Sequence, residues 1–190
     1  MTKILHLTTV HPRSDTRIFI KEAQTLASNL PYKVLLMVAD GMGNVDNEQG
    51  QVSIYDLGHL GGGRFGRALL GFWRALSAIF KIKPNIVHFH DPELIPLGIL
   101  LQAIGYQVIY DVHEDVPRQT LSKEWLPWVI RKPIAWITGS IEWFSAKIFS
   151  AIVAATPKIA EHFPADKTVL IQNYPIANEL VLTSPVPYVE

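Results

Sequence analysis

The sequence predicts an α/β fold, a three-layer α/β/α domain on a mainly parallel sheet of about seven strands. Two observations carry this prediction. Short runs such as YKVLLMVA at 32–39 and NIVHFH at 85–90 are almost continuously apolar, as strands covered on both faces should be. These runs alternate with longer stretches of helical period, as βαβ units require. A third observation bears on function. The runs ending near His90 and Val112 give way abruptly to histidines and carboxylates. In an open α/β sheet the carboxyl ends of the strands face the ligand crevice. His88, His90, Asp91, His113, Glu114 and Asp115 are therefore candidates for one rim. Strand alternation narrows that group, because it sets His88 and His90 on one face, Asp91 on the other, and separates His113 from Glu114.

Taken in order, residues 3–10 form the first expected strand, followed by the polar segment HPRSDTR, in which Asp15 is placed to cap a helix over about 16–28. Ile18, Ala23, Leu26 and Ala27 give that helix its core face. Strands follow at 32–39 and 52–57, separated by a polar loop rich in Gly and Asn. A loop carrying Gly61, Gly62, Gly63 and Gly66 precedes a helix expected over 67–82, with Lys81 and Lys83 at its negative end and Pro84 as its stop. The strand at 85–90 leads through Pro92 into an apolar helix over about 93–104, ended by Gly105. The fifth strand is 107–112. A helical pattern over 122–150 is expected to break at Pro127 and Pro133 into two helices. A short strand at 151–155, a short helix at 158–162 and a seventh strand at 168–172 complete the pattern.

Composition excludes several classes of function. Hydrophobic residues make up 48% and charged residues 18% of the 190, which describes an apolar globular chain. The 17 basic and 17 acidic residues cancel, so there is no basic footprint for nucleic acid. The absence of cysteine excludes disulfides, thiolate catalysis and zinc–thiolate sites. The N-terminus lacks the apolar core of a signal peptide, and no window of about twenty residues is free of charge, so a cytoplasmic protein is expected.

Three constellations invite chemistry. Gly61-Gly62-Gly63-Arg64-Phe65-Gly66 matches the literal dinucleotide fingerprint G-x-G-x-x-G. It lies after the third strand instead of the first, with Gly58, His59 and Leu60 intervening, so a solvent-facing loop is the favoured reading. His88 and His90, with Asp91 and His113, would suit the rim of a metal hydrolase, yet only His162 follows among the histidines. Histidines hydrogen-bonded within the sheet are the plainer alternative, above all for His88. The aromatic stretch LPWVIRKPIAWITGSIEWFSAKIF interleaves Trp125, Trp128, Trp136 and Trp143 with Arg131, Lys132 and Lys147. That mixture suits a membrane interface, although helices packed over the sheet explain most of it.

The segments HPRSDTRIFIKEAQTLA, IVHFHDPELIPLG, VIYDVHEDVP and VLIQNYP together resemble the N-terminal domain of a family 4 retaining glycosyltransferase. The resemblance spans nearly the whole chain, with HFHDPEL and YDVHED its most specific parts. It implies a Rossmann-like domain, 1–180, forming one half of a GT-B fold and receiving the acceptor. Residues 181–190 would begin an interdomain linker to a donor-binding C-terminal domain absent from this chain, leaving the 190 residues inactive alone. Transfer would proceed with retention from a nucleotide sugar to a glycan or lipid-linked acceptor, in cell-surface polysaccharide or glycolipid synthesis. No cofactor or metal ion is expected. The resemblance assigns His113 to the reaction centre and His11, Asp15, Arg17, His90, Asp91, Glu114 and Asn173 to substrate binding. The loop at 11–17 lacks the family's glycines, so Arg13 or Arg17 would have to supply charge toward a diphosphate. Peripheral membrane contact is a further expected partnership. The contrasting class is a non-catalytic sugar-binding or interaction module.

Overall fold

The computed structural model describes residues 1–29, 31–47 and 51–175. Seven strands are present: β1 Lys3–Leu7, β2 Lys33–Val38, β3 Ser53–Asp56, β4 Ile86–Phe89, β5 Gln107–Val112, β6 Ala151–Ala154 and β7 Thr168–Leu170. They form one sheet in the order β3-β2-β1-β4-β5-β6-β7, and every neighbouring pair is parallel. The chain thus winds outward from β1 to one edge and from β4 to the other. The β1/β4 junction is the topological switch point, where ligands of such sheets collect.

The strands hold their places because alternate residues serve different layers. Leu5, Leu7, Val87, Phe89, Val108, Tyr110 and Ile152 face the larger core, beneath α2 Gly63–Ile82, α3 Ile95–Ala103 and the end of α5 Trp128–Ile148. Phe89 stacks on Tyr110 with ring centroids 4.7 Å apart, and Phe149 meets Phe89 edge-on at 5.4 Å. Gly98 lets α3 approach these rings, since a Cβ there would lie 2.7 Å from Phe89. Val34, Leu36, Val38 and Ile54 face the second, smaller core, with Ile18, Ala23 and Ala27. Those three come from a helical segment Thr16–Ala23 that continues as α1 Gln24–Asn29. On this same side β1, β4 and β5 carry His6, His88, His90 and Asp111 instead of apolar residues.

Several boundaries differ from expectation for identifiable reasons. The helix expected from residue 67 begins at Gly63, with Gly62 as its N-cap in the left-handed region, so half of the glycine run is helical. A Cβ at Gly66 would lie 2.5 Å from the Gly61 carbonyl oxygen, so glycine there serves the tight helix entry. This turn follows β3 at the sheet edge, remote from the switch point. The helix expected from residue 122 starts earlier, as α4 Val116–Ser122, because Asp115 accepts a bond from the Arg118 N–H and caps it. Pro127 separates α4 from α5 as expected, whereas Pro133 lies inside α5 without ending it. The short sixth helix, α6, runs Pro157–Ala160 with Thr156 as its cap. The segment Thr16–Ala23 is wound in wide π-type turns, with the Gln24 N–H bonded to the Phe19 carbonyl. The expected linker at 181–190 lies outside the described residues.

Candidate active site

The cleft beside the switch point is built from the loop after β1, the ends of β5 and β6, and the segment after β7. Asp15 begins the construction. Its Oδ1 accepts from the backbone N–H groups of Arg17 and Ile18 at 2.9 Å each, which fixes the helix entry. Its Oδ2 lies 3.3 Å from His11 Nδ1, which turns the His11 ring across the cleft. His11 Nε2 then sits 3.2 Å from His113 Nε2, so one imidazole donates and the other accepts. The rings meet edge to face, with centroids 5.0 Å apart. Burial, helped by nearby His11, holds His113 below the ordinary histidine range against the pull of Asp111, so the ring is neutral near pH 7.

Around this pair lies a hollow of about 430 Å³ lined by His11, Asp15, Arg17, His113, Glu114, Thr156, Asn173 and Tyr174. Glu114 is exposed and makes no hydrogen bond or ion pair among the described residues. Lys21 Nζ donates to Asn173 Oδ1 at 2.7 Å and to the Tyr174 carbonyl at 2.6 Å, which ties the segment after β7 to the helix after β1.

Behind the cleft, Asp111 is the organising residue. It is fully buried in the interior of β5. Arg17 donates to it twice, from Nε at 2.9 Å and from Nη2 at 2.7 Å, and His90 Nδ1 lies 3.0 Å from its Oδ2. Burial alone would raise this carboxyl, but the bonds from His90 and Arg17 outweigh it and hold Asp111 well below the usual range. Arg17 also donates to the Ile171 carbonyl and lies 3.2 Å from Glu22 Oε1. Its charge is thus neutralised within the protein. Arg13 is likewise committed, with Asp40 taking bonds from its Nε and Nη2.

The structure therefore divides the residues singled out in the sequence. His113, His11, Asp15, Glu114 and Asn173 share the cleft wall with Arg17. His90 is buried beside His6 and His88, with Asp111 between it and His113, and it lines a smaller hollow of about 250 Å³ with His11, Asp91, His113 and Glu114. Asp91 reaches both sides: its Oδ1 lies 3.6 Å from His11 Nε2, while its Oδ2 accepts from Thr8 Oγ1, Thr9 Oγ1 and the Thr9 N–H and holds the loop after β1. Glu93 continues that tie, accepting from Thr9 Oγ1 and pairing with Arg67 at 2.9 and 2.8 Å.

Sequence reasoning passed over His6, Glu22 and Asp111. A carboxylate inside the buried run QVIYDV requires a partner, which was a usable signal for Asp111. Glu22 gave less warning, since residues five apart do not meet on an α-helix. The π-type turns bring Arg17 and Glu22 together. Burial and nearby Asp111 push Glu22 up to about 9, and burial together with His90 pushes His88 down to about 3.

A second, apolar cleft of about 750 Å³ opens beside the first, between α4, α5 and α6. Trp136, Trp143, Phe144, Ile159 and Phe163 line it, and Glu114 stands on the boundary between the two clefts. At its floor Glu142 accepts from the Tyr110 hydroxyl at 3.0 Å. No helix among the described residues is long and apolar enough to cross a membrane.

An open parallel sheet with a polar cleft beside its switch point defines a Rossmann-like α/β domain of the GT-B kind. Solved structures agree. Sucrose-phosphate synthase from Thermosynechococcus elongatus superposes with a TM-score of 0.64 at 11% identity, over 94% of this chain and 51% of that one. UDP-GlcNAc 2-epimerase from Methanocaldococcus jannaschii gives 0.51 at 14% identity, over 90% and 45%. The N-terminal domain of Candida albicans trehalose-6-phosphate phosphatase gives 0.52 at 13% identity, over 85% and 42%. The chain thus spans about half the length of the synthase it matches. No curated protein sequence matches it. Residues 20–173 match Glycosyltransferase Family 4. The chain belongs to that family.

Proposed function

We propose that this chain is the acceptor-side domain of a retaining glycosyltransferase. It would move a sugar from a nucleotide-sugar donor to a glycan or lipid-linked acceptor in cell-surface polysaccharide or glycolipid synthesis. The observation that carries the reading is the His11–His113 pair at the mouth of the switch-point cleft. Sugar transfer passes through an oxocarbenium-like state and releases a diphosphate, so it needs hydrogen-bonding groups around the sugar and positive charge at the leaving group. A neutral His113 can bond a sugar hydroxyl close to the reacting carbon. Glu114, without a hydrogen-bond or ion-pair partner among the described residues, can accept from a second hydroxyl. Arg17, His90 and Asp91 act behind them by holding the ring and the loop in place.

Arg13 and Arg17 are both paired with carboxylates. In this reading the charge for the leaving diphosphate comes from a donor-binding C-terminal domain, and the 190 residues alone would not turn over. The apolar cleft beside Glu114 suits the lipid part of a lipid-linked acceptor, and the exposed tryptophans of α5 suit peripheral contact with the cytoplasmic membrane face. No cofactor or metal is assigned to the transfer itself. The full-length gene product, assayed against a panel of nucleotide sugars with the product anomer read by NMR, tests the proposal. Transfer with retention is expected; transfer with inversion, or sugar binding without any transfer, contradicts it.

A further inference from the structure

On the sheet face opposite the larger core, three histidines and a carboxylate converge, with His6 and His90 hydrogen-bonded to each other and other polar atoms of the group left over. His6 on β1 is fully buried, His88 on β4 and His90 just after it are 7% and 2% exposed, and Glu22 reaches them from the π-wound segment. His6 Nδ1 lies 3.2 Å from His90 Nε2, and Glu22 Oε2 is 3.8 Å from the first and 3.9 Å from the second. One atom from each of the four residues falls within 4.8 Å of the others. His6 Nε2, His88 Nε2 and both Glu22 oxygens are buried without a hydrogen bond, although Arg17 Nε approaches Glu22 Oε1 to 3.2 Å. Buried polar atoms left unpaired cost stability. Such atoms on three members of one four-residue cluster call for a common partner.

The chemistry of the set identifies that partner. Four ligands at about 2.1 Å from a tetrahedral ion stand about 3.4 Å apart, and this set, with pairs at 3.2, 3.8 and 3.9 Å and none beyond 4.8 Å, would draw in slightly around an ion. Imidazole with a carboxylate, and no thiolate, suits zinc and its first-row neighbours more than calcium or magnesium. Asp111 supplies the outer support, because it accepts from His90 Nδ1–H and so leaves the lone pair on Nε2, which meets His6 Nδ1 here and which an ion would take over. Arg17, bonded twice to Asp111, fixes that carboxylate in turn.

We infer that His6, Glu22, His88 and His90 form a buried structural site for a divalent first-row transition metal such as zinc. The ion would clip the helical segment Thr16–Ala23 to β1 and β4 and so brace Arg17 and Asp111 behind the sugar-transfer cleft. It lies inside the fold, out of reach of substrate, and the transfer remains metal-independent.

The test uses the intact chain, stripped with dipicolinate and titrated with Co(II) and Zn(II). A single equivalent of Co(II) should give the intense visible bands of a tetrahedral site, and zinc should abolish them. Zinc at a hundredfold excess over Kd should raise Tm by about 5 °C or more. Glu22→Gln and His88→Gln should each weaken zinc binding at least tenfold, whereas His59→Ala, at an exposed histidine, should not. The wild-type Co(II) spectrum decides even if a variant misfolds. Weak, octahedral Co(II) bands overturn the proposal, as does zinc binding that survives Glu22→Gln but is lost with His59→Ala.

Discussion

Glu142 shows how a single residue can carry a pH dependence that the net charge of the molecule hides. Its residue is 6% exposed, and burial, reinforced by Asp115 and opposed by the Tyr110 hydroxyl, pushes its carboxyl from 4.5 up to about 7. A carboxyl raised in the folded state binds its proton more tightly there than in the unfolded chain. Its contribution to stability is therefore fully present below pH 4.5 and is lost as pH rises through about 7. The loss amounts to about 3 kcal/mol at pH 8. Glu142→Gln keeps an acceptor for Tyr110 and removes the titration. Its Tm should exceed that of the wild type at pH 8 and show no such advantage near pH 4.5. An equal difference at both pH values would show that the buried carboxyl does not titrate in this window.

The strands were legible one by one, because each runs apolar between turn residues and needs only local information. Helix ends were less so. Glycine is a poor helix former, so a run of glycines reads as loop, and only the approach of the Gly61 carbonyl to Gly66 reveals the tight entry into α2. Pro133 removes one helix hydrogen bond, and α5 runs through it because the exposed Val129 carbonyl, its lost acceptor, can be met by water. The spacing of His88 and His90 showed that they share a face. Their meeting with His6 and Glu22 depends on β1 lying beside β4, and strand order is not written in local spacing.

Of all the elements, α5 makes the sharpest surface prediction. Trp128, Trp136, Ile137, Trp143 and Phe144 are exposed along it, and Lys147 Nζ lies 3.4 Å from the centre of the Trp143 ring. Burying each Trp at a bilayer interface is worth about 1.5–3 kcal/mol. Replacing Trp136 and Trp143 with Ser should lower partitioning onto anionic vesicles at least tenfold in a sedimentation assay. Unchanged partitioning would assign these rings to an acceptor or to another protein surface.

At the scale of the whole molecule, the two sheet faces divide the work. One packs helices α2, α3 and α5 over aromatic rings and holds the fold together. The other carries the histidines, Arg17, Glu22 and Asp111, and its upper edge presents His11 and His113 at the switch point. That division explains how a chain of zero net charge can concentrate its ionisable groups at one junction. The proposed transfer places His113 at the reacting sugar, with the rest of the junction as its support. The most direct measurement of that proposal is sugar transfer by the full-length gene product from a panel of nucleotide sugars, comparing wild type with His113→Ala. The account predicts a fall in kcat on the order of a hundredfold or more, well beyond the modest fall in Tm expected from losing a mostly buried ring and its bond to His11. A His113→Ala enzyme that transfers sugar at the wild-type rate would contradict it.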